Sequence, residues 1–177
     1  FAKRQFGFVP DFVGPDAPKP PADLVILPGS KNTRADMAVL QAQGWPQYLQ
    51  RHLRYGGKLI GICGGYQMLG QHIHDPLGVE GQAGSSAGLG YLAVDTTLAA
   101  AKTLTRREGR FVNADAAVSG YEIHMGVSHG ADCERPVFML DDGSVDGAVS
   151  PDGQIMGSYL HGLFDRPDAC QTLLHWA

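Results

Sequence analysis

Cys63 is the residue of this chain whose neighbours best suit it to act as a nucleophile. Residues 61–65 read Gly-Ile-Cys-Gly-Gly, the G-x-nucleophile-x-G pattern of a tight strand-to-helix turn, with Cys where hydrolases have Ser. Glycines suit such a turn because a Cβ beside the nucleophile would collide with the strand or the helix. The turn also places the sulfur over the first N–H groups of the helix, so we expect their dipole to lower the thiol pKa. The alternative is a buried structural cysteine in a glycine-rich turn.

Two histidines are candidate bases for this thiol. His161 follows a predicted strand and precedes a glycine, and a cysteine nucleophile needs a base that the fold, rather than sequence proximity, brings close. His124 is the second candidate. Near it, Glu122 has a carboxylate suited to orienting a histidine or binding an ammonium group. The alternative for these residues is that they are ordinary strand residues with no role in chemistry.

A strand and a loop upstream of Cys63 are predicted to complete the site. Residues 23–27 form an apolar run that ends at a Pro-Gly pair, typical of a parallel strand buried on both faces. A right-handed βαβ unit places the loop after this strand and the Cys63 turn at the same edge of the sheet. We therefore expect the backbone N–H groups of Gly29 or Ser30, and of Gly64, to point at an oxyanion formed on a substrate bound to Cys63.

The remaining pattern predicts an α/β fold. Helices are predicted over residues 33–43, over 45–53 and from 167 to 174, with Asn32 or Thr33 capping the first. A short strand is possible at residues 5–9. The second half predicts short, partly antiparallel strands at residues 91–97, 102–106, 119–125, 136–140, 147–150 and 154–159.

Length and composition exclude several classes of function. A chain of 177 residues is most simply one domain, and a net charge of -4 does not suggest binding to nucleic acid or a membrane surface. No apolar run is long enough to span a bilayer. Three cysteines without a framework spacing predict a reduced, cytoplasmic location. Because the chain begins with Phe1, we expect a fragment of a longer polypeptide.

A metal site is suggested by one short motif. His72 and His74 are separated by one residue and followed by Asp75. A zinc site needs a third and a fourth ligand, and no second Cys or His pair supplies them. The sequence therefore predicts no metal in this chain.

Five segments, taken together and in order, resemble the C-terminal glutamine amidotransferase domains of cobyric acid synthases. They are residues 27–33 (LPGSKNT), 61–70 (GICGGYQMLG), 75–81 (DPLGVEG), 120–126 (GYEIHMG) and 159–165 (YLHGLFD). The related domain of cobyrinic acid a,c-diamide synthase typically has a different loop after the first strand and lacks Gln67. The resemblance extends from about residue 23 to the end of the chain.

The resemblance implies a class I, triad-type glutaminase with a flavodoxin-like fold, in which a mostly parallel central sheet is flanked by helices and extended by antiparallel strands. Cys63 would form a γ-glutamyl thioester and His161 would act as the base. The oxyanion hole would come from backbone N–H groups of Gly29, Ser30 and Gly64. Further residues are predicted to bind glutamine: Gln67, Tyr121, Glu122 and His124.

The resemblance also implies partners that lie outside this sequence. Residues 23–177 would be the amidotransferase domain and residues 1–22 a connecting segment. Ammonia would pass to an N-terminal synthetase domain of the same polypeptide, which amidates adenosylcobyrinic acid a,c-diamide with ATP and Mg²⁺. This chain contains no G-x-x-x-x-G-K-[ST] phosphate loop, so we expect it to bind L-glutamine and no cofactor of its own.

One departure from the family pattern and two alternatives stay open. Class I triads have a Glu two residues after the catalytic His, and that position is Leu163 here. The third catalytic group would then be Glu122, a backbone carbonyl or a residue of the synthetase domain, or the site works as a dyad. Another amidotransferase of the same group, such as the glutaminase that serves lipid II amidation, is one alternative. A non-catalytic α/β binding module is the other.

Overall fold

The computed structural model describes residues 9–177, apart from the side chains of residues 101–103. The helices are α1 (Thr33–Ala42), α2 (Trp45–Arg54), α3 (Gly64–Leu69) and α4 (Pro167–Trp176), with a 3-10 helix at Ala131–Glu134. The strands are β1 (Leu24–Leu27), β2 (Lys58–Ile62), β3 (His72–Asp75), β4 (Gly84–Ala87), β5 (Asp95–Phe111), β6 (Ala117–His129), β7 (Phe138–Leu140), β8 (Val145–Asp146), β9 (Ala148–Val149), β10 (Ile155–Ser158) and β11 (Leu160–His161).

A four-stranded sheet forms the centre of the fold, with strand order β1-β2-β10-β9. β1 and β10 both run parallel to β2, and β9 is antiparallel to β10. Leu59 and Ile60 of β2 are fully buried, because β2 lies between two strands and is covered by helices, as an uninterrupted apolar strand requires. The carboxyl ends of β1 and β2 meet at one edge, as the βαβ argument predicts.

A second, seven-stranded sheet has the order β11-β6-β5-β3-β4, with β7 and β8 added beside β5. β5 and β6 form a long antiparallel hairpin. Only Tyr159 separates the end of β10 from the start of β11. β11 pairs His161 with Tyr121 of β6. The chain therefore crosses from the central sheet to the second sheet between β10 and β11, next to the end of β2.

The structure confirms the predicted α/β class and the three longer helices. Asn32 caps α1, because its side-chain oxygen accepts a hydrogen bond from the Ala35 N–H at 3.1 Å. Residues 91–97 and 102–106 were predicted as two strands, but one strand, β5, contains the last three residues of the first range and all of the second. Strand β3 was not predicted, since its four residues include only one buried apolar side chain, Ile73. The possible strand at residues 5–9 lies almost entirely outside the described residues.

No helix within residues 9–177 is both long enough and apolar enough to cross a membrane.

Candidate active site

Cys63 lies in a strained turn between β2 and α3. Its φ is 53° and its ψ is -111°, and within the described residues it is the one non-glycine residue with positive φ. Its backbone N–H donates to the Ser158 carbonyl at 2.8 Å. The neighbouring glycines are required sterically: a Cβ on Gly65 would lie 2.1 Å from the Leu27 carbonyl oxygen, and one on Gly61 2.7 Å from the Gly65 backbone. Strain of this kind costs about 1–3 kcal/mol and is typical of functional sites.

The Cys63 side chain is held as a thiol. Cys63 is 7% exposed, and its S–H donates to the Ile123 carbonyl at 3.2 Å. Burial raises the pKa of Cys63, the Gly64 N–H lowers it, and the negative charge of Glu80 raises it further. The net pKa shift is upward, opposite to the direction that the sequence predicted. The helix N–H does act as expected, but desolvation outweighs it.

His161 and Cys63 meet above Gly29. A Cβ placed on Gly29 would lie 3.0 Å from His161 Cε1 and 3.7 Å from Cys63 Cβ. The His161 ring and the Cys63 Cβ therefore border the same space, which exists because residue 29 has no side chain. His161 Nε2 is buried and has no hydrogen-bond partner among residues 9–177, so within these residues no group orients the ring through this nitrogen.

Neither of the two positions considered for the third catalytic group offers His161 an uncommitted carboxylate. Leu163 is 1% exposed and packs in the apolar core. Glu122 accepts hydrogen bonds from Arg107 Nε at 2.7 Å and lies 2.8 Å from His124 Nε2. Burial opposes ionisation of Glu122, but the hydrogen bonds from His124 and Arg107 prevail and lower its pKa. Its carboxylate is therefore committed to these two side chains.

His124 is bonded at both ring nitrogens. Nδ1 lies 2.9 Å from the Gly126 carbonyl oxygen, which makes Nδ1 the donor, and Nε2 contacts Glu122. The ring stacks on Tyr159 with centroids 3.8 Å apart. This arrangement leaves His161, whose ring lies with Cys63 at Gly29, as the candidate base.

The loop after β1 brings Ser30 against Gly64. A Cβ on Gly64 would lie 2.7 Å from both the backbone N and the Cβ of Ser30, so the two backbones approach as closely as glycine allows. Ser30 Oγ donates to Asp36 at 2.5 Å and accepts from the Asn32 N–H at 3.0 Å. These bonds fix the loop that the sequence predicted to contribute to an oxyanion hole, and Gly29 lies beside it.

Gln67, four residues after Cys63, is buried and hydrogen-bonded at both ends of its amide. It is 3% exposed; its Oε1 accepts from Thr33 Oγ1 at 3.0 Å, and its Nε2 donates to Tyr159 Oη at 3.3 Å and to the Met125 carbonyl at 3.4 Å. Tyr121, by contrast, is 53% exposed. The predicted contacts of these residues with glutamine stay predictions.

The sequence predicted no role for Glu80, whose negative charge acts on the pKa of Cys63. Its carboxylate lies 3.1 Å from Thr33 Oγ1, which shares its one proton between Glu80 and Gln67, and accepts from the Arg34 N–H at 3.3 Å. The fully buried Asp75 holds this loop by accepting from the Val79 and Glu80 N–H groups at 2.7 and 3.0 Å. Residues 75–81 contributed to the resemblance, but nothing in their spacing indicated that the Glu80 charge acts on the pKa of Cys63.

Two solved structures have a similar fold. A crystal structure of a glutamine amidotransferase has a TM-score of 0.62 at 17% identity, over 87% of this chain and 78% of that one. PurLQS from Thermotoga maritima also has a TM-score of 0.62, at 16% identity, over 87% of this chain and 79% of that one. At this identity the similarity shows the fold.

Sequence comparison identifies the family. Residues 6–169 match the description "CobB/CobQ-like glutamine amidotransferase domain". The match covers the strand, turn and histidine segments that meet around Gly29. This chain therefore belongs to the family of CobB/CobQ-like glutamine amidotransferase domains.

Proposed function

We propose that this chain is the glutaminase domain of a cobyric acid synthase. It would release ammonia from glutamine for the ATP-dependent amidation of adenosylcobyrinic acid a,c-diamide by a synthetase domain. The main support is the convergence of Cys63, in its strained turn, and His161 on the side-chain-free face of Gly29. The loop of residues 27–33 and Gln67 favour this enzyme over cobyrinic acid a,c-diamide synthase.

The proposed reaction has two stages. His161 takes the Cys63 proton, the sulfur attacks the side-chain amide carbon of glutamine, and a tetrahedral oxyanion forms against backbone N–H groups of Gly29 or Ser30 and of Gly64. His161 returns the proton to the nitrogen, the C–N bond breaks and ammonia leaves. Water, deprotonated by His161, then attacks the thioester, and glutamate and the free thiol are released.

Glu80 is proposed to bind the α-ammonium group of glutamine. Its negative charge raises the pKa of Cys63, so an ammonium group bound beside it would offset that charge and favour the thiolate when substrate is present. The neutral variant Glu80→Gln separates the two effects. We expect a KM for glutamine raised about tenfold or more, but Cys63 alkylation by neutral iodoacetamide at least as fast as in the wild type. Unchanged KM would refute this role.

The glutaminase site is tested with 6-diazo-5-oxo-norleucine, a glutamine analogue that alkylates the nucleophile. Mass spectrometry is expected to find one label on Cys63, blocked by excess glutamine and absent in Cys63→Ala. Cys170 is a matched control, because it is a buried free cysteine in α4, and Cys170→Ala should label normally. Absence of labelling in the folded wild type would refute the glutaminase proposal and favour the non-catalytic module.

The acceptor needs a separate experiment, because the synthetase domain would bind it. The chain is combined with the synthetase domain, ATP, Mg²⁺ and glutamine, and either adenosylcobyrinic acid a,c-diamide or cobyrinic acid is supplied. We expect amidation of the a,c-diamide. Glutamine-dependent amidation of cobyrinic acid instead would identify a cobyrinic acid a,c-diamide synthase and leave the glutaminase chemistry intact.

The unpartnered His161 Nε2 suggests how the two domains cooperate. A free imidazole nitrogen leaves the ring tautomer without an orienting group, and loss of such a group can lower the rate by orders of magnitude. We propose weak glutaminase activity in the isolated domain that rises when the synthetase domain binds. Equal ammonia release by the isolated domain and the complete enzyme would contradict this.

A further inference from the structure

A cluster of side chains that could bind a metal lies apart from the candidate active site, on strands β3 and β5 of the seven-stranded sheet. His72 and His74 are two residues apart on β3, so they project from the same face, while Ile73 between them is fully buried on the other. Asp95 of β5 lies directly opposite His72 in the parallel ladder. The sequence pointed to Asp75 as the neighbouring acid, but Asp75 is buried and bonded to the Glu80 loop.

We propose that His72, His74 and Asp95 form a three-ligand site for a divalent transition-metal ion of the Zn²⁺ class. One ligand atom from each residue can be chosen so that all lie within 4.8 Å of one another. Zinc–ligand bonds of about 2.0–2.2 Å place tetrahedral ligands about 3.5 Å apart, a contraction that small rotations of these partly exposed side chains provide. Two imidazoles and one carboxylate are a ligand set suited to Zn²⁺, with water in the fourth position.

The surroundings already orient the ligands. Ser85 of β4 lies opposite His74, and its Oγ is 2.8 Å from His74 Nδ1. A hydrogen bond from Nδ1–H to this hydroxyl leaves the Nε2 lone pair free, as a metal-bound histidine requires. The His72 and His74 rings lie nearly parallel, with 22° between their planes and centroids 5.6 Å apart. His72 Nδ1 and Asp95 Oδ1 are 3.0 Å apart, so an ion would replace an existing polar contact.

The ion would connect β3 to β5. β3 continues from α3, the helix that follows Cys63, and β5 forms the hairpin with β6, which contacts the Cys63 thiol. We therefore expect bound metal to stabilise the fold. The site is separate from the proposed glutaminase reaction, which uses no metal.

Isothermal titration of the EDTA-treated chain with Zn²⁺ tests the proposal, with Co²⁺ as a spectroscopic substitute. We expect one ion per chain, and a Kd at least about tenfold higher in His74→Ala and Asp95→Asn. Ser85→Ala should weaken binding by about tenfold as well. The exposed His175 of α4 gives the matched control, and His175→Ala should bind as the wild type does.

Cys63 and His161 are themselves potential zinc ligands, so the titration is repeated in Cys63→Ser. Unchanged one-to-one binding in that variant is expected. Its loss there would place the ion in the glutaminase site and overturn the proposal, as would wild-type affinity in His74→Ala and Asp95→Asn, or no stoichiometric binding at all. Circular dichroism of each variant in EDTA shows whether the fold is kept without metal. None of these results depends on glutaminase activity.

Discussion

Gly29→Ala separates the proposed catalytic geometry from the stability of the fold. The new Cβ would lie 3.0 Å from His161 Cε1 and 3.7 Å from Cys63 Cβ, with no backbone atom among its near contacts. Residue 29 does not have positive φ, so alanine fits its backbone conformation. The substitution therefore acts on the imidazole and not on the sheet.

The size of the effect follows from the contact distance. Carbon atoms pack best at about 3.5–4.0 Å, so the imidazole must move by about 0.5 Å or more. A misplacement of 1 Å can cost about 100-fold in rate, and half that distance suggests a loss of about tenfold in kcat. The free energy of unfolding should change by less than about 1 kcal/mol, the usual range for an alanine that fits its site.

The assay is steady-state ammonia release, measured beside thermal unfolding. Gly14→Ala is the matched control, because Gly14 also lacks positive φ and a Cβ there would meet the flexible Asp16 carboxylate at 3.3 Å. We expect wild-type kcat in the control and the tenfold loss in Gly29→Ala. Wild-type kcat in a folded Gly29→Ala would refute the reasoning that the imidazole works from this position.

Three further predictions follow from the site. First, because burial raises the pKa of Cys63, its alkylation by iodoacetamide should accelerate with pH up to a midpoint above that of an ordinary thiol; a midpoint below the ordinary value would contradict the burial argument. Second, Leu163→Glu should lower Tm without raising ammonia release, since residue 163 lies in the core and burying a carboxylate there is costly; a gain in activity would show that the carboxylate reaches His161. Third, Asp75→Asn should cost about 1–3 kcal/mol of unfolding free energy through weakened bonds to the Glu80 loop, measured by urea unfolding. Burial raises the pKa of Asp75, but hydrogen bonds from the Glu80 and Val79 N–H groups outweigh it, so the net pKa is lowered. A lowered folded-state pKa means that the stability from Asp75 is lost as the pH falls below the ordinary Asp value. Asp75→Asn should therefore be less sensitive to acid than the wild type, and equal acid sensitivity would count against this role.

The sequence by itself determined the local features of the site. The glycines around Cys63 can be recognised without a structure, because a strained turn tolerates few other residues at those positions. The apolar run of β1 and the Asn32 cap of α1 are equally local signals. The rule for parallel connections then places the Gly29 loop and the Cys63 turn at one edge of the sheet.

Only the tertiary structure decided what surrounds those features. The position of His161 depends on the crossing from β10 to β11, and the commitment of Glu122 to Arg107 depends on the register of the β5–β6 hairpin. The direction of the Cys63 pKa shift depends on how completely the second sheet covers the thiol. Each of these properties depends on groups that are distant in sequence, and no periodicity or motif predicts the distances between them.

The same difference between local and tertiary information explains why the sequence predicted no metal, whereas the structure led us to propose a metal site. His72 and His74 are visible as a pair in the sequence, and the nearest acid along the chain is Asp75. The structure turns Asp75 inward and brings Asp95 opposite His72, because β3 pairs in parallel with a strand that begins 20 residues beyond the end of β3. The sequence shows directly which residues could bind a metal. Which of them lie close enough to bind the same ion depends on strand pairing, and this is fixed only in the complete fold.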